Sequence, residues 1–365
     1  MKKNKLLAVL LLGGLTFAGC GNQDANQTET KTQTQNEAVE EEALEEKEEN
    51  TNVAKAASLE EEPRYGTPVK IGFDGDLCIA GQNLAEINGY FKEAGVDVEF
   101  VNTKSGKDAL SSGQLDAMTG EFGGLLVPAT KGLKYVFSTA SHSGCKSLYV
   151  LKDSEYQNTS DLVKKSVAVT NGIGNSGHNT LLRFLIHDDV NPDDINIKPV
   201  DSAAVIQSLE SGEIQGAVLD DQFAQEFLQR DIIRPIRSLT SDEDFGKEVC
   251  CVTAFNKEFV DNNPMLAELV AEAIEKGNQY AAENPEDAIK VLQDKNLAEG
   301  DPEVATDLLK AYDYTLTNKD GEETLRTYFD DYKKLKLIPD NKTTDELMEE
   351  FWRPLGNGEV EVVRK

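Results

Sequence analysis

Residues 84–101 read LAEINGYFKEAGVDVEFV, and the apolar period changes midway through them. Leu84, Ile87, Phe91 and Ala94 recur at helical spacing, and Gly95 supplies a stop. Val96, Val98 and Phe100 then alternate with Asp97 and Glu99, the pattern of a strand buried on one face. A helix over 82–94 running into a strand is one unit of a layered α/β fold, and its neighbours repeat it. Pro68–Phe73 predicts a first strand, and 115–118, 133–137, 166–170, 195–200, 216–219 and 232–236 predict others. Helices fall between them, among them Ser202–Glu210 with Ser202 as its cap. Strands alternating with helices predict an α/β class. After Phe255 the pattern is helical only. Asn263–Pro264, Asn284–Pro285 and Asp301–Pro302 each place a capping side chain before a first-turn proline, which predicts three helix starts. Leu266, Leu269, Val270 and Ile274 form the inner stripe of the first, and Phe351 and Trp352 are expected to pin the tail.

Upstream, the chain reads as an address and a tether. Lys2, Lys3 and Lys5 precede a short apolar run, Leu6–Leu15, the pattern of a secretory signal. LTFAGC at 15–20 resembles the lipobox of bacterial lipoproteins, which implies a signal peptide 1–20 and lipidation of Cys20. The acyl chains would hold the protein to the outer face of the cell membrane. Residues 21–66 are polar and acidic, including EAVEEEALEEKEE, and are expected to form a disordered tether. No later segment is long and apolar enough to cross a bilayer. The 365 residues carry 66 Asp and Glu against 37 Lys and Arg, which argues against nucleic acid and anionic lipid surfaces as partners.

The opening stretch, followed by LSSGQLDA at 110–117, resembles the periplasmic-binding-protein type II family. Within it the chain is similar to the nitrate/taurine/aliphatic-sulfonate branch of ABC-transporter solute receptors, which also contains thiamine-pyrimidine-synthase-like domains. The likeness continues through SHSGCKSLYVLKDS, SDLVKKSVAV, LESGEIQGAVLDD and ENPEDAIKVL. It departs at LVKKSVAV, which lacks the glycine usual at that turn. The resemblance implies a two-lobed fold joined by two crossing hinge strands. Lobe one would be 67–143 plus 253–365, with a helical C-terminal extension, and lobe two 144–252. The crossings would fall near HSGCKSL and VCCVT. It further implies a monomeric, non-enzymatic, lipid-anchored, substrate-binding component of an ABC importer, which captures a small organic solute between its lobes without a cofactor and delivers it to a membrane permease. Two alternatives stand beside it. One is an enzyme similar to the thiamine-pyrimidine synthases. The other is a receptor for a metal chelate bound through Cys and His.

The lobe assignment gives the strand ends a role, because open α/β sheets bind ligands there. Asp74, Asp76 and Leu77 follow the first strand, Thr119, Gly120 and Glu121 the third, and Asp220, Asp221 and Gln222 a strand of lobe two. Asp74 and Asp76 do not make an EF-hand, since the remaining loop ligands are missing. These loops are rich in carboxylates and short of arginine, with Lys146 the one nearby cation, so an amine, hydroxyls or a metal suits them better than a bare oxyanion. TNGIGNSGHN at 170–179 spells GxGxxG through Gly172, Gly174 and Gly177, with Asp201 ending the next strand. In an exported protein this reads as a helix start whose amides, at Asn175, Ser176, Gly177 and His178, would receive an anionic ligand group. Four cysteines remain after Cys20, and three readings compete for them. Cys145 could bridge to Cys250 or Cys251, or Cys78 to one of these three; the thiols could simply be packed; or they could hold a soft metal, with His142 as a further ligand. Adjacent Cys250 and Cys251 should point to opposite faces of their strand.

Overall fold

The computed structural model of the protein describes residues 56–73 and 76–365; the readings at Cys20, along 21–55 and at Asp74 lie outside them. Two five-stranded sheets are present. The first takes β1 (Val69–Gly72), β2 (Val98–Val101), β3 (Ala117–Glu121) and β4 (Tyr135–Ser143). The second takes β5 (Lys146–Leu151), β6 (Ser166–Val169), β7 (Asn196–Pro199), β8 (Gly216–Asp220) and β9 (Ile233–Ser238). The last strand, β10 (Val249–Asn256), returns to the first sheet. The orders are β2-β1-β3-β10-β4 and β7-β6-β8-β5-β9, so the two halves share one plan. In each, parallel strands from βα units are joined by one antiparallel strand that comes from across the molecule: β10 between β3 and β4, and β5 between β8 and β9.

The chain crosses between the halves at Gly144–Cys145 and returns through residues 239–248. Ser143 lies opposite Val249, so the two crossings run side by side. The return is complete by Val249, ahead of the Val252–Thr253 boundary that the resemblance implies, because Cys251 is already paired with Glu121 of β3.

The opening stretch forms two helices, Ala80–Ile87 and Tyr90–Ala94, rather than one. Gly89 sits between them at φ +78°, a left-handed conformation that ends the first helix and lets the second change direction. The strand that follows is β2, as its alternation predicts. Helix starts at Pro264, Pro285 and Pro302 are all present, but only Asp301 caps with its side chain, accepting from the Glu303 and Val304 amides. Asn263 and Asn284 follow directly on preceding helices, and their side-chain amides donate back to the carbonyls of Phe259 and Tyr280. The start at Pro264 is capped instead by Glu62, whose carboxylate accepts from the Met265 and Leu266 amides at 2.7 and 2.8 Å. Likewise Asp201, not Ser202, caps the helix Ser202–Glu210, accepting from the Ala203 amide.

Glu62 shows that the end of the expected tether belongs to the folded unit. Leu59 is fully buried, and its amide donates to the Val363 carbonyl at 2.7 Å. Arg64 pairs with Asp116 through both terminal nitrogens, at 2.9 and 3.0 Å. Phe351 and Trp352 are buried as expected, and Trp352 bridges to Phe137 of β4.

One titration follows from the C-terminal packing. Burial, with Glu268 nearby, pushes the Glu275 carboxyl up from 4.5 to about 7. A carboxyl whose folded pKa is raised holds its proton more tightly when folded. Its stabilising contribution is therefore complete below about 4.5 and is lost as pH rises through about 7. Glu275→Gln should raise stability at pH 8 by about 1 kcal/mol, discounted for partial exposure. The gain should vanish near pH 4.5, the ordinary value for this carboxyl. Thermal unfolding across pH checks this, and a pH-independent difference between the two proteins would refute it.

Candidate functional site

Between the halves lies a cavity of about 650 Å³. Its walls are the strand ends that sequence reasoning singled out, and they meet there because each parallel strand points its C-terminal end at the crossing. Asp76, Leu77 and Cys78 come from the turn after β1; Thr119, Gly120 and Glu121 come from the end of β3. The second half contributes Asp220 and Gln222. Two of the contacts that join the halves lie at the cavity. The Leu77 amide donates to Gln222 Oε1 at 2.9 Å, and the buried Lys146 ammonium reaches Glu121 at 2.9 Å while also pairing with Asp220. Burial alone would depress the Lys146 pKa, but the two carboxylates hold it well above its ordinary value.

Three predicted groups lie elsewhere. Asp221 is buried behind the wall, where its carboxylate accepts from Tyr149 and Thr240 hydroxyls, and burial raises its pKa. Asn175, Ser176, Gly177 and His178 do open a helix, Ser176–His187, but its N-terminus abuts Gly123 and Gly124 rather than lining the cavity. Asn179 fixes that contact by donating to the Gly123 carbonyl at 2.8 Å. His142 is fully buried and sits behind Cys78. The wall that sequence reasoning missed is helical. Glu299, Asp301, Leu308 and Tyr312, from the C-terminal region, close one side of the cavity. The acidic turn at 299–301 was the available signal, and it reads equally well as a helix cap, which Asp301 also is. The Tyr312 hydroxyl at this wall is buried and makes no hydrogen bond.

The cysteines converge on the cavity floor. Cys78, Cys145 and Cys251 line it, and Cys250 lies just behind. No disulfide is formed among them: all four are free thiols, although Cys145 Sγ and Cys250 Sγ stand 2.6 Å apart. The expected opposite facing of Cys250 and Cys251 does not occur either. Val249 pairs with Ser143 and Cys251 with His142, which leaves Cys250 as an extra residue in a β-bulge. A bulge re-aims side chains, and here the Cys145, Cys250 and Cys251 sulfurs lie within 4.8 Å of one another. Contact with Cys145 pushes the Cys78 thiol up, burial does so for Cys145, and contacts with the other three do so for Cys251. Burial would raise Cys250 too, but contacts with Cys145 and Cys251 hold it below the ordinary thiol range.

The NMT1/THI5-like family profile matches residues 78–288, more than half of the chain and the whole stretch that carries this cavity floor. The chain belongs to the NMT1/THI5-like family. No curated protein matches the sequence. Among solved structures, this NMT1/THI5-like chain is similar to the periplasmic aliphatic sulphonate binding protein SsuA from Escherichia coli. The TM-score is 0.64 at 16% identity, over 82% of this chain and 96% of that one. It is also similar to the alkanesulfonate-binding protein SsuA from Xanthomonas axonopodis pv. citri, with TM-score 0.62 at 15% identity, over 79% and 98%. The periplasmic nitrate-binding protein NrtA from Synechocystis PCC 6803 gives 0.66 at 14% identity, over 78% and 86%. At such identities the likeness is one of fold, and it makes the NMT1/THI5-like chain a two-lobed periplasmic-binding-protein fold.

Proposed function

We propose that this chain is the lipid-anchored solute-capturing subunit of an ABC importer on the extracytoplasmic face of a bacterial membrane. It would take a small solute between its lobes and present the closed form to a permease. The observation that carries this reading is the cavity itself, built from strand ends of both halves and bridged by Lys146. Two side-by-side crossings permit hinge closure of the kind such receptors use. The relatives named for sulfonate and nitrate binding share this architecture and support the receptor reading.

Chemistry of the walls sets this chain apart from an oxyanion receptor. Asp76, Glu121, Asp220, Glu226, Glu299 and Asp301 line the cavity, and among the described residues no arginine does. The ammonium of Lys146 is already engaged by two of those carboxylates. A ligand bearing an amine, hydroxyls or a cationic centre complements such walls, and the unbonded Tyr312 hydroxyl offers it one more polar contact. An enzymatic reading finds less support. The nearest imidazole, His142, is fully buried behind Cys78 and does not line the cavity, so it is poorly placed as a general base for a bound solute.

The test is solution scattering and calorimetry across a broad metabolite panel. Compaction should accompany binding of cationic or hydroxylated compounds, and Glu121→Gln should weaken that binding about tenfold or more, as loss of a charge-assisted contact does. A protein that neither compacts nor binds any compound would refute the proposal.

A further inference from the structure

The thiols at the cavity floor carry an inference that rests on the receptor reading and narrows it. We propose that Cys78, His142 and Cys251 form a three-ligand site for a soft, closed-shell metal cation, which is the cargo of the cleft or the recognised centre of that cargo.

Geometry comes first. The Cys78 and Cys251 sulfurs and a ring nitrogen of His142 lie within 4.8 Å of one another. Donors around one tetrahedral ion with ~2.3 Å metal–sulfur bonds stand roughly 3.8 Å apart, so modest side-chain movement brings these three onto a common centre. Three protein ligands with a fourth position open to the cleft are what a site that must load and unload requires. Cys145 contacts both Cys78 and Cys251 and also lines the cavity, where it can offer a further sulfur.

The imidazole is held ready for such a role. His142 Nδ1 lies 2.7 Å from the Ser143 carbonyl and Nε2 lies 3.0 Å from the Cys78 carbonyl. A neutral ring has one N–H, so one of these oxygens faces a lone pair. With the proton on Nδ1 donated to Ser143, the free lone pair is on Nε2, beside the Cys78 turn. A backbone carbonyl holding the far nitrogen is the usual support of a metal-bound histidine. Tyr312 and Tyr314 flank the ring at centroid distances of 5.0 and 4.8 Å and fix its plane.

The backbone is shaped around the sulfurs as well. Cys145 adopts φ +83°, a region that side chains rarely enter and that glycine would occupy without strain. Cys250 is the extra residue of the bulge that turns both members of the pair toward one side. Both features bring sulfur toward one centre. The walls above supply carboxylates, which draw a cation toward the floor, and soft thiolates then select it over calcium or magnesium. On binding, each ligating thiol gives its proton to solvent as its sulfur–metal bond forms, with no change of oxidation state.

The test uses the full chain purified under reducing conditions and titrated with Cd²⁺ as the probe. About one Cd²⁺ per chain should bind with a thiolate-to-metal charge-transfer band, and the solution should acidify. Cys251→Ser and Cys78→Ser should each remove the band and weaken binding at least a hundredfold while the circular dichroism of the fold is kept; His142→Gln should weaken it by at least tenfold. Magnesium in large excess should not compete. Unchanged Cd²⁺ binding in the two serine variants, or a disulfide that consumes Cys78 or Cys251 in the purified protein, would overturn the site. Scattering with the metabolite panel separates the two readings. Closure around a metal-free organic compound, with no Cd²⁺ uptake, would overturn the metal site and leave the receptor standing. Neither uptake nor closure would remove both.

Discussion

Replacing Arg183 with methionine should lower the unfolding free energy by about 3–5 kcal/mol, the cost of breaking a buried ion pair from one side. Arg183 is fully buried. Its terminal nitrogens donate to both oxygens of Glu248 at 2.8 and 3.0 Å, and Nε donates to Asp331 at 2.9 Å. The guanidinium also lies 3.9 Å from the centre of the Tyr328 ring. Methionine would fill the space but leave two carboxylates facing each other, with His187, 2.9 Å from Asp331, and Lys334, 3.6 Å from it, beside only one of the two. The three partners come from distinct places. Arg183 is on a helix of the second half, Glu248 ends the returning crossing, and Asp331 is on the helix Asn318–Lys334 of the C-terminal region. The residue thus fastens the base of the clamshell beside its crossings. Urea denaturation measures the loss, and a decrease below about 1 kcal/mol would show that the cluster stabilises no more than a surface pair. The triple change Arg183→Met, Glu248→Gln and Asp331→Asn should recover much of it, since no uncompensated charge is then left inside.

Gly277→Ala should cost about 3 kcal/mol, at the upper end for overpacking. Gly277 lies on the helix Pro264–Glu283 where it crosses Ala80–Ile87. A β-carbon there would lie 1.9 Å from the Gly81 carbonyl oxygen and 2.9 Å from the Ala85 amide nitrogen. Both are backbone atoms of a helix, so no side chain can swing aside. The helices must separate, and the turn carrying Cys78 immediately precedes the one displaced. Gly123→Ala is the control: its nearest foreign atoms would be 3.7 Å away, an ordinary contact, and its effect should stay within about 0.5 kcal/mol. Equal effects of the two alanines would sink the argument.

The alternating period of the sequence made the α/β class legible, because strand and helix periods differ, whereas the two-lobed plan came from the family resemblance. Chain order does not state which strand leaves its neighbours, so the return of β10 was visible only through the family resemblance. The strand-end residues Asp76, Leu77, Thr119, Gly120, Glu121, Asp220 and Gln222 were legible as cavity walls for the same topological reason. Two things were hidden. A bulge at Cys250 has no signature in the strand pattern, which predicts strict alternation, so the convergence of the sulfurs could not be read from spacing. The glycine motif at 172–177 misled in the opposite sense. Its helix does begin there, but the space before its first amides is taken by Gly123 and Gly124. Capping fared similarly, because Glu62 reaches Pro264's helix from two hundred residues away, beyond any local rule.

The meeting of Leu59 with Val363, and of the Lys365 amide with Glu60 at 2.9 Å, has a mechanical consequence. A pull on the chain at residue 58 enters the first half beside the last residues of the sequence. Its load path runs into the helix Pro264–Glu283 through Glu62 and never passes Gly144 or residues 239–248. On the proposed receptor reading, tension entering there would therefore leave the angle between the two halves untouched.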